Sequence, residues 1–152
     1  MVTKKLSGMG YGIVLFVICG CGPSGPVIGQ VDPTRAKLQQ ISGAYLAATM
    51  KSNSAPTKPE DLLPFLGDTS TPEEEKREIF RSDNDGEDFE IVWGIDLRNI
   101  GTDELPREVI YAYEKKGKNG KRYVLKAPTD TFIIPNDLFQ KSLFPKGYQP
   151  GS

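Results

Sequence analysis

The hydrophobic period of this chain changes once, near Phe80, and that change dictates the architecture open to it. Before Phe80 the apolar residues recur at helical steps; after it they alternate. Asp32-Pro33-Thr34 opens the first part as a helix start, with Asp as the cap and Pro at the first helical position. Leu38, Ile41, Tyr45 and Ala48 follow at three- and four-residue spacing, Leu46 and Met50 widen the stripe, and Lys37, Gln40 and Lys51 lie opposite. This pattern predicts an amphipathic helix over 33–50, ended by the polar run that closes on Ala55-Pro56. Thr57-Lys58-Pro59-Glu60 and Thr71-Pro72-Glu73-Glu74 read as two further capping signals, each opening a short helix, the second over 73–78.

Beyond Phe80, Phe89, Ile91, Trp93 and Ile95 alternate with Glu90, Val92, Gly94 and Asp96, which predicts a half-buried strand anchored by Trp93. Further strands are expected over 109–114, 121–127 and 131–134. Lys115-Lys116-Gly117-Lys118-Asn119-Gly120 supplies the hairpin turn, and a last helix starts at Asn136 and runs to about Leu143. Either Tyr111 and Tyr113, or Ile110 and Ala112, would continue the inner face. The order predicts an α+β fold: one long N-terminal amphipathic helix packed on a three- to four-stranded antiparallel sheet, with short accessory helices. That domain occupies 32–144, and a loose tail follows over 145–152.

The chain has 152 residues, enough for one such core. It has two cysteines, no histidine and a net charge of −1. Without imidazole there is no Ser-His-Asp or Cys-His catalysis, and the near-neutral charge gives no general attraction for nucleic acid. No nucleophile elbow, phosphate loop or dinucleotide fingerprint is present, so no enzyme and no cofactor are expected.

Residues 1–20 read as an address. Lys4 and Lys5 precede an apolar stretch of 13 residues, Met9 to Cys21, about 20 Å long as a helix and too short to span a bilayer core of about 30 Å comfortably. Its end, Ile18-Cys19-Gly20-Cys21, resembles the bacterial lipobox, apart from Cys19 at the tolerant position. The resemblance implies diacylglyceryl attachment to Cys21, cleavage after Gly20 and acylation, with palmitate or a similar chain, of the new terminus. The mature chain would then have no free thiol, with 17 basic against 20 acidic residues and a net charge of −3. Residues 21–31, rich in Gly and Pro and uncharged, read as the lipidated Cys and a flexible linker reaching about 17 Å from the membrane. The expected location is the cell envelope, on the periplasmic or outer face of a membrane, with the bilayer as the first partner and an envelope protein or polysaccharide as the second.

The order of parts, an amphipathic helix, the Pro59-Glu60-Asp61-Leu62-Leu63 turn, the Asp83-Asn84-Asp85-Gly86 turn, then strands from Phe89-Glu90-Ile91-Val92-Trp93-Gly94, resembles the head of a type II secretion major pseudopilin. It departs from that family at the N-terminus: the long apolar helix and its early glutamate are missing, and the lipobox stands in their place. The chain is more similar to small uncharacterised bacterial lipoproteins carrying such a head. The expected role is a binding or structural module, or else an accessory part of a secretion or pilus-like system; a small envelope hydrolase ranks last.

Three clusters are candidate sites. Asp83, Asp85 and Asp88, around Gly86, offer oxygen donors to a hard cation such as Ca²⁺, bound weakly; the full EF-hand spacing is not met, since Arg81 and Val92 fall where acids are required. Some major pseudopilins hold calcium in a head loop, which the resemblance carries here as an implication. Lys115, Lys116, Lys118, Lys121 and Arg122 form a basic tip that could meet an anionic surface, and equally a solvated turn that keeps a sheet edge from pairing. Asp96, Asp103 and Glu104 lie near one strand end, where a glycosidase would need two carboxylates about 5–10 Å apart across a cleft, but a domain this small is expected to offer little room for one.

Overall fold

The structure, a computed structural model, describes residues 31–151. The signal, Cys21 and nearly all of the linker lie outside the described residues. Within them, no helix is long and apolar enough to cross a membrane.

Helix α1 (Pro33–Ser52) begins where Asp32 accepts hydrogen bonds from the N–H groups of Thr34 at 2.9 Å and Arg35 at 3.3 Å, and stops at Asn53 in the left-handed region, φ 53°. Leu38, Ile41, Tyr45 and Ala48 are buried, but the flanks of their stripe are polar: Thr34, Ser42 and Thr49 are buried with them. Leu46 and Met50 do not widen the stripe. Met50 is 64% and Leu46 37% exposed, and small hydroxyl residues flank the buried stripe in their place. Ser42 Oγ lies 3.2 Å from the Tyr111 hydroxyl, and the Thr49 hydroxyl donates to the Tyr45 carbonyl at 2.8 Å.

Two 3₁₀ turns, Pro59–Asp61 and Leu63–Phe65, flank the buried Leu62, and Leu66 is buried just beyond them. The capping at Thr57 runs opposite to the expected direction: Asp61 accepts from the Thr57 N–H at 2.8 Å and its hydroxyl at 3.0 Å. Helix α2 (Glu73–Glu78) has no side-chain cap, since the Thr71 hydroxyl donates to Asp68 instead.

Four antiparallel strands in the order β1-β2-β3-β4 make the sheet, so the molecule is α+β. They are β1 (Glu90–Ile91), β2 (Ile110–Tyr113), β3 (Lys121–Lys126) and β4 (Asp130–Pro135). β1 is far shorter than its alternation predicts. The Val92 N–H still pairs with the Tyr111 carbonyl at 2.7 Å, but Gly94 at φ +80° turns the chain away, so Val92 is buried and Trp93 only partly buried.

A bulge between Ile110 and Ala112 resolves the inner face of β2 in a way alternation cannot. Tyr111 and Ala112 both join the core beneath α1, with Tyr45, Ile91 and Leu125; Ile110 and Tyr113 point to a second core with Val124 and Phe139. Helix α3 (Asn136–Phe139), shorter than expected, drops Phe139 into that second core. The tail closes it. Phe144 packs edge-on to Phe139 at 5.3 Å, the Ile110 N–H donates to the Leu143 carbonyl at 2.8 Å, and the Tyr148 and Tyr113 hydroxyls share a 2.8 Å hydrogen bond. Residues 145–148 are therefore docked and not loose: Pro145 is buried, and Tyr148 finds in Tyr113 a polar partner and in Phe144 an aromatic one.

Candidate functional site

The acidic turn grips the hairpin. Asp85 accepts from the N–H groups of Gly117 at 2.8 Å and Lys116 at 3.0 Å through one oxygen, and from Glu87 at 3.1 Å through the other. Burial works to raise its carboxyl, but those three N–H groups outweigh it and hold it below the usual aspartate range. Asp83 pairs with Lys37 of α1 at 2.9 Å, and Asp88 forms a backbone bridge with Arg81. The three aspartates thus face different partners. Among the described residues no three carboxylates stand together as a metal-ligand group.

Beneath the turn lies a residue that no motif in the sequence marks as a site. Glu114, fully buried, accepts from the Ser82 hydroxyl at 2.5 Å, the Asn84 amide at 3.1 Å and the Tyr123 N–H at 2.7 Å. Its signal in the sequence is slight: a single acid ending the run Ile110-Tyr111-Ala112-Tyr113.

The basic tip divides in two. Arg122 leaves the exposed set altogether, being 8% exposed, with its guanidinium 4.1 Å over the Phe139 ring and donating to Asn136 and to the Glu114 and Lys115 carbonyls. Its place on β3 turns it toward the second core, whereas a lysine there would have no planar group to lay on the ring. Lys116 pairs with Glu87 at 2.5 Å and Lys115 with Glu90 at 3.8 Å. Lys118 and Lys121 are exposed and make no ion pair among the described residues.

Of the three carboxylates near the strand end, Asp96 is committed: Arg98 donates to it at 2.6 and 2.8 Å and holds it below its ordinary range. Asp103 is exposed in the loop beyond. Glu104 lines a cleft of about 520 Å³, contrary to the expectation that so small a domain leaves little room for one, because the docked tail supplies a second wall. Trp93, Asp96, Asn99 and Glu104 form one side, Lys146 and Tyr148 the other.

The cleft is built on Tyr45. Its ring backs the Trp93 indole, with centroids 6.1 Å apart and planes 17° from parallel. Its hydroxyl donates to the Val92 carbonyl at 3.3 Å and accepts from the Ile95 N–H at 3.0 Å, bracketing the turn that carries Trp93. Burial pushes this phenol up to about 12, so it stays protonated and able to do both. The Gly94 N–H reaches the Pro56 carbonyl at 2.9 Å and pins the same turn from outside.

Two other depressions of similar volume differ in kind. In one, at the end of α1, Lys51 sits 5.5 Å over the Phe65 ring and Asp61 is held by Thr57. In the other, below Trp93, Arg77 pairs with Glu73 and Glu60, and Arg81 donates to the Gly86 carbonyl. Around the first cleft, by contrast, the side chains of Asn99, Glu104 and Lys146 and the Trp93 indole N–H make no hydrogen bond or ion pair among the described residues. No known protein family, curated protein or solved structure matches the chain.

Proposed function

We propose that the chain is an envelope lipoprotein whose folded head binds a ligand and performs no catalysis. The observation that carries the anchor is Ile18-Cys19-Gly20-Cys21 behind Lys4, Lys5 and a short apolar core. Acyl chains at about 0.8 kcal/mol per buried CH₂ would hold Cys21 in the bilayer without a spanning helix. Binding is favoured over catalysis because Asp96 is tied to Arg98, leaving Glu104 without a second unengaged carboxylate across the cleft. Metabolic labelling with a fatty-acid analogue tests the anchor. The wild-type chain should take up label and fractionate with membranes, and Cys21→Ser should do neither; an unlabelled, soluble wild-type protein would refute it.

A second reading, an accessory part of a secretion or pilus-like system, draws on one long helix, buried along one side, leading into an antiparallel meander. A photo-cross-linker at the exposed Met50, on the outer side of α1, would capture pilin-type subunits in cells under this reading and none under the first.

A further inference from the structure

We propose that the cleft between Trp93 and Tyr148 is a saccharide site that takes a short, uncharged oligosaccharide. The proposal rests on the reading of the head as a binding module and names the class of its ligand. Its volume of about 520 Å³ falls in the range of small-molecule sites. The Trp93 indole stacks on Tyr45 with centroids 6.1 Å apart and, only partly buried, lines the cleft with apolar ring surface. Sugar rings carry an apolar C–H face that stacks on such a surface and a rim of hydroxyls that must be met by hydrogen bonds.

The rim of the cleft supplies those bonds in both senses. The Trp93 N–H and the Lys146 ammonium donate, the Glu104 carboxylate accepts, and the Asn99 amide does both; all four are free of protein partners among the described residues. Hydroxyl groups, which donate and accept, match this mixture. A lipid or other apolar ligand would bury the four without partners, at a cost in affinity. A ligand of single charge would meet one unengaged acid and one unengaged base, with no net attraction.

Trp93 is the only tryptophan in the chain and lines the cleft, so its fluorescence responds to binding there, and the Asn99 and Glu104 variants separate that response from one in the depression on its other side. The full-length protein, purified in mild detergent, is titrated with N-acetylglucosamine tetramer, cellotetraose and, as a rival class, tetra-alanine. The expected result is a saturating change in emission with at least one of the two saccharides and none with the peptide. Asn99→Ala, at the exposed end of the 3₁₀ turn Leu97–Asn99, and Glu104→Gln, in the exposed loop after it, remove side chains without hydrogen-bond partners among the described residues and should each weaken that binding about tenfold. No saturable change with either saccharide at millimolar concentration, a response to the peptide alone, or saccharide binding unaltered by both variants would overturn the proposal. Fatty-acid labelling of the same preparation separates the two readings. A labelled protein that binds neither saccharide sinks the site and leaves the anchor, and an unlabelled one that binds does the reverse.

Discussion

Glu114→Gln replaces one acceptor oxygen by an NH₂ group, in a pocket where every neighbour is a donor. The Ser82 hydroxyl gives its single hydrogen to Glu114, while its two lone pairs already receive the N–H groups of Asn84 at 3.0 Å and Asp85 at 3.4 Å. The other oxygen of Glu114 accepts from Tyr123 and Asn84. A glutamine amide therefore has no orientation that fits: its NH₂ meets either an occupied hydroxyl or two N–H donors. A buried donor left without a partner costs about 1–3 kcal/mol, so Glu114→Gln should lose about 1.5–3 kcal/mol despite its matched shape. Glu114→Ala, which also opens a cavity, should lose about 3–5 kcal/mol, a large share of a total near 5–15. Urea denaturation followed by Trp93 emission measures both. Hydrogen exchange should show the Tyr123 amide losing protection in each variant. A glutamine variant within about 0.5 kcal/mol of the parent would refute the need for two acceptor oxygens.

Two further outcomes follow from the same clamp. The Asp85 carboxyl lies below its unfolded value, so its contribution is present above about pH 4 and fades as pH falls through the lowered folded value. Asp85→Asn should lower the urea midpoint at neutral pH and flatten its fall on acidification; an unchanged acid limb would contradict this. Gly117, at φ +67°, would bring a Cβ into collision with the Lys121 carbonyl oxygen and Arg122, whereas Gly120, at φ +71°, has open space. Gly117→Ala should therefore cost more than about 2 kcal/mol and Gly120→Ala about 1, and equal melting temperatures for the two would remove the steric reasoning.

The sheet was legible because its later strands are short β-branched and aromatic runs: Tyr123-Val124-Leu125, Phe132-Ile133-Ile134 and the Gly-containing turn before them locate β3 and β4 to within a residue or two. β1 was legible in place but not in length, since Gly94 in the left-handed region overrides an alternation that continues past it. The bulge in β2 left no mark in Ile110-Tyr111-Ala112-Tyr113, where every residue is apolar or aromatic and either register buries the same types. The candidate site was legible only in pieces. Asp96 and Glu104 stood out as acids, but which of them is engaged depends on Arg98. The opposite wall comes from residues more than forty positions downstream, in a proline- and glycine-rich tail that local pattern reads as unstructured. Arg122 and its lysine neighbours look alike as a string of bases, and only the Phe139 ring sets it apart.

The second core imposes an order on the chain as it emerges. The core beneath α1 draws mainly on residues 38–127, with Tyr148 touching it only from the edge, but Ile110, Tyr113 and Val124 on the other face wait for Phe139, Phe144 and Tyr148. A chain delivered from its N-terminus can complete the first layer while one face of β2 and β3 still lies bare. For that interval a strip of tyrosine, isoleucine and valine is open to solvent, next to unpaired strand edges, and the last few residues to arrive are the ones that cover it. The wall of the cleft and the seal of the sheet are the same short segment, so the site is completed in the step that ends this exposure.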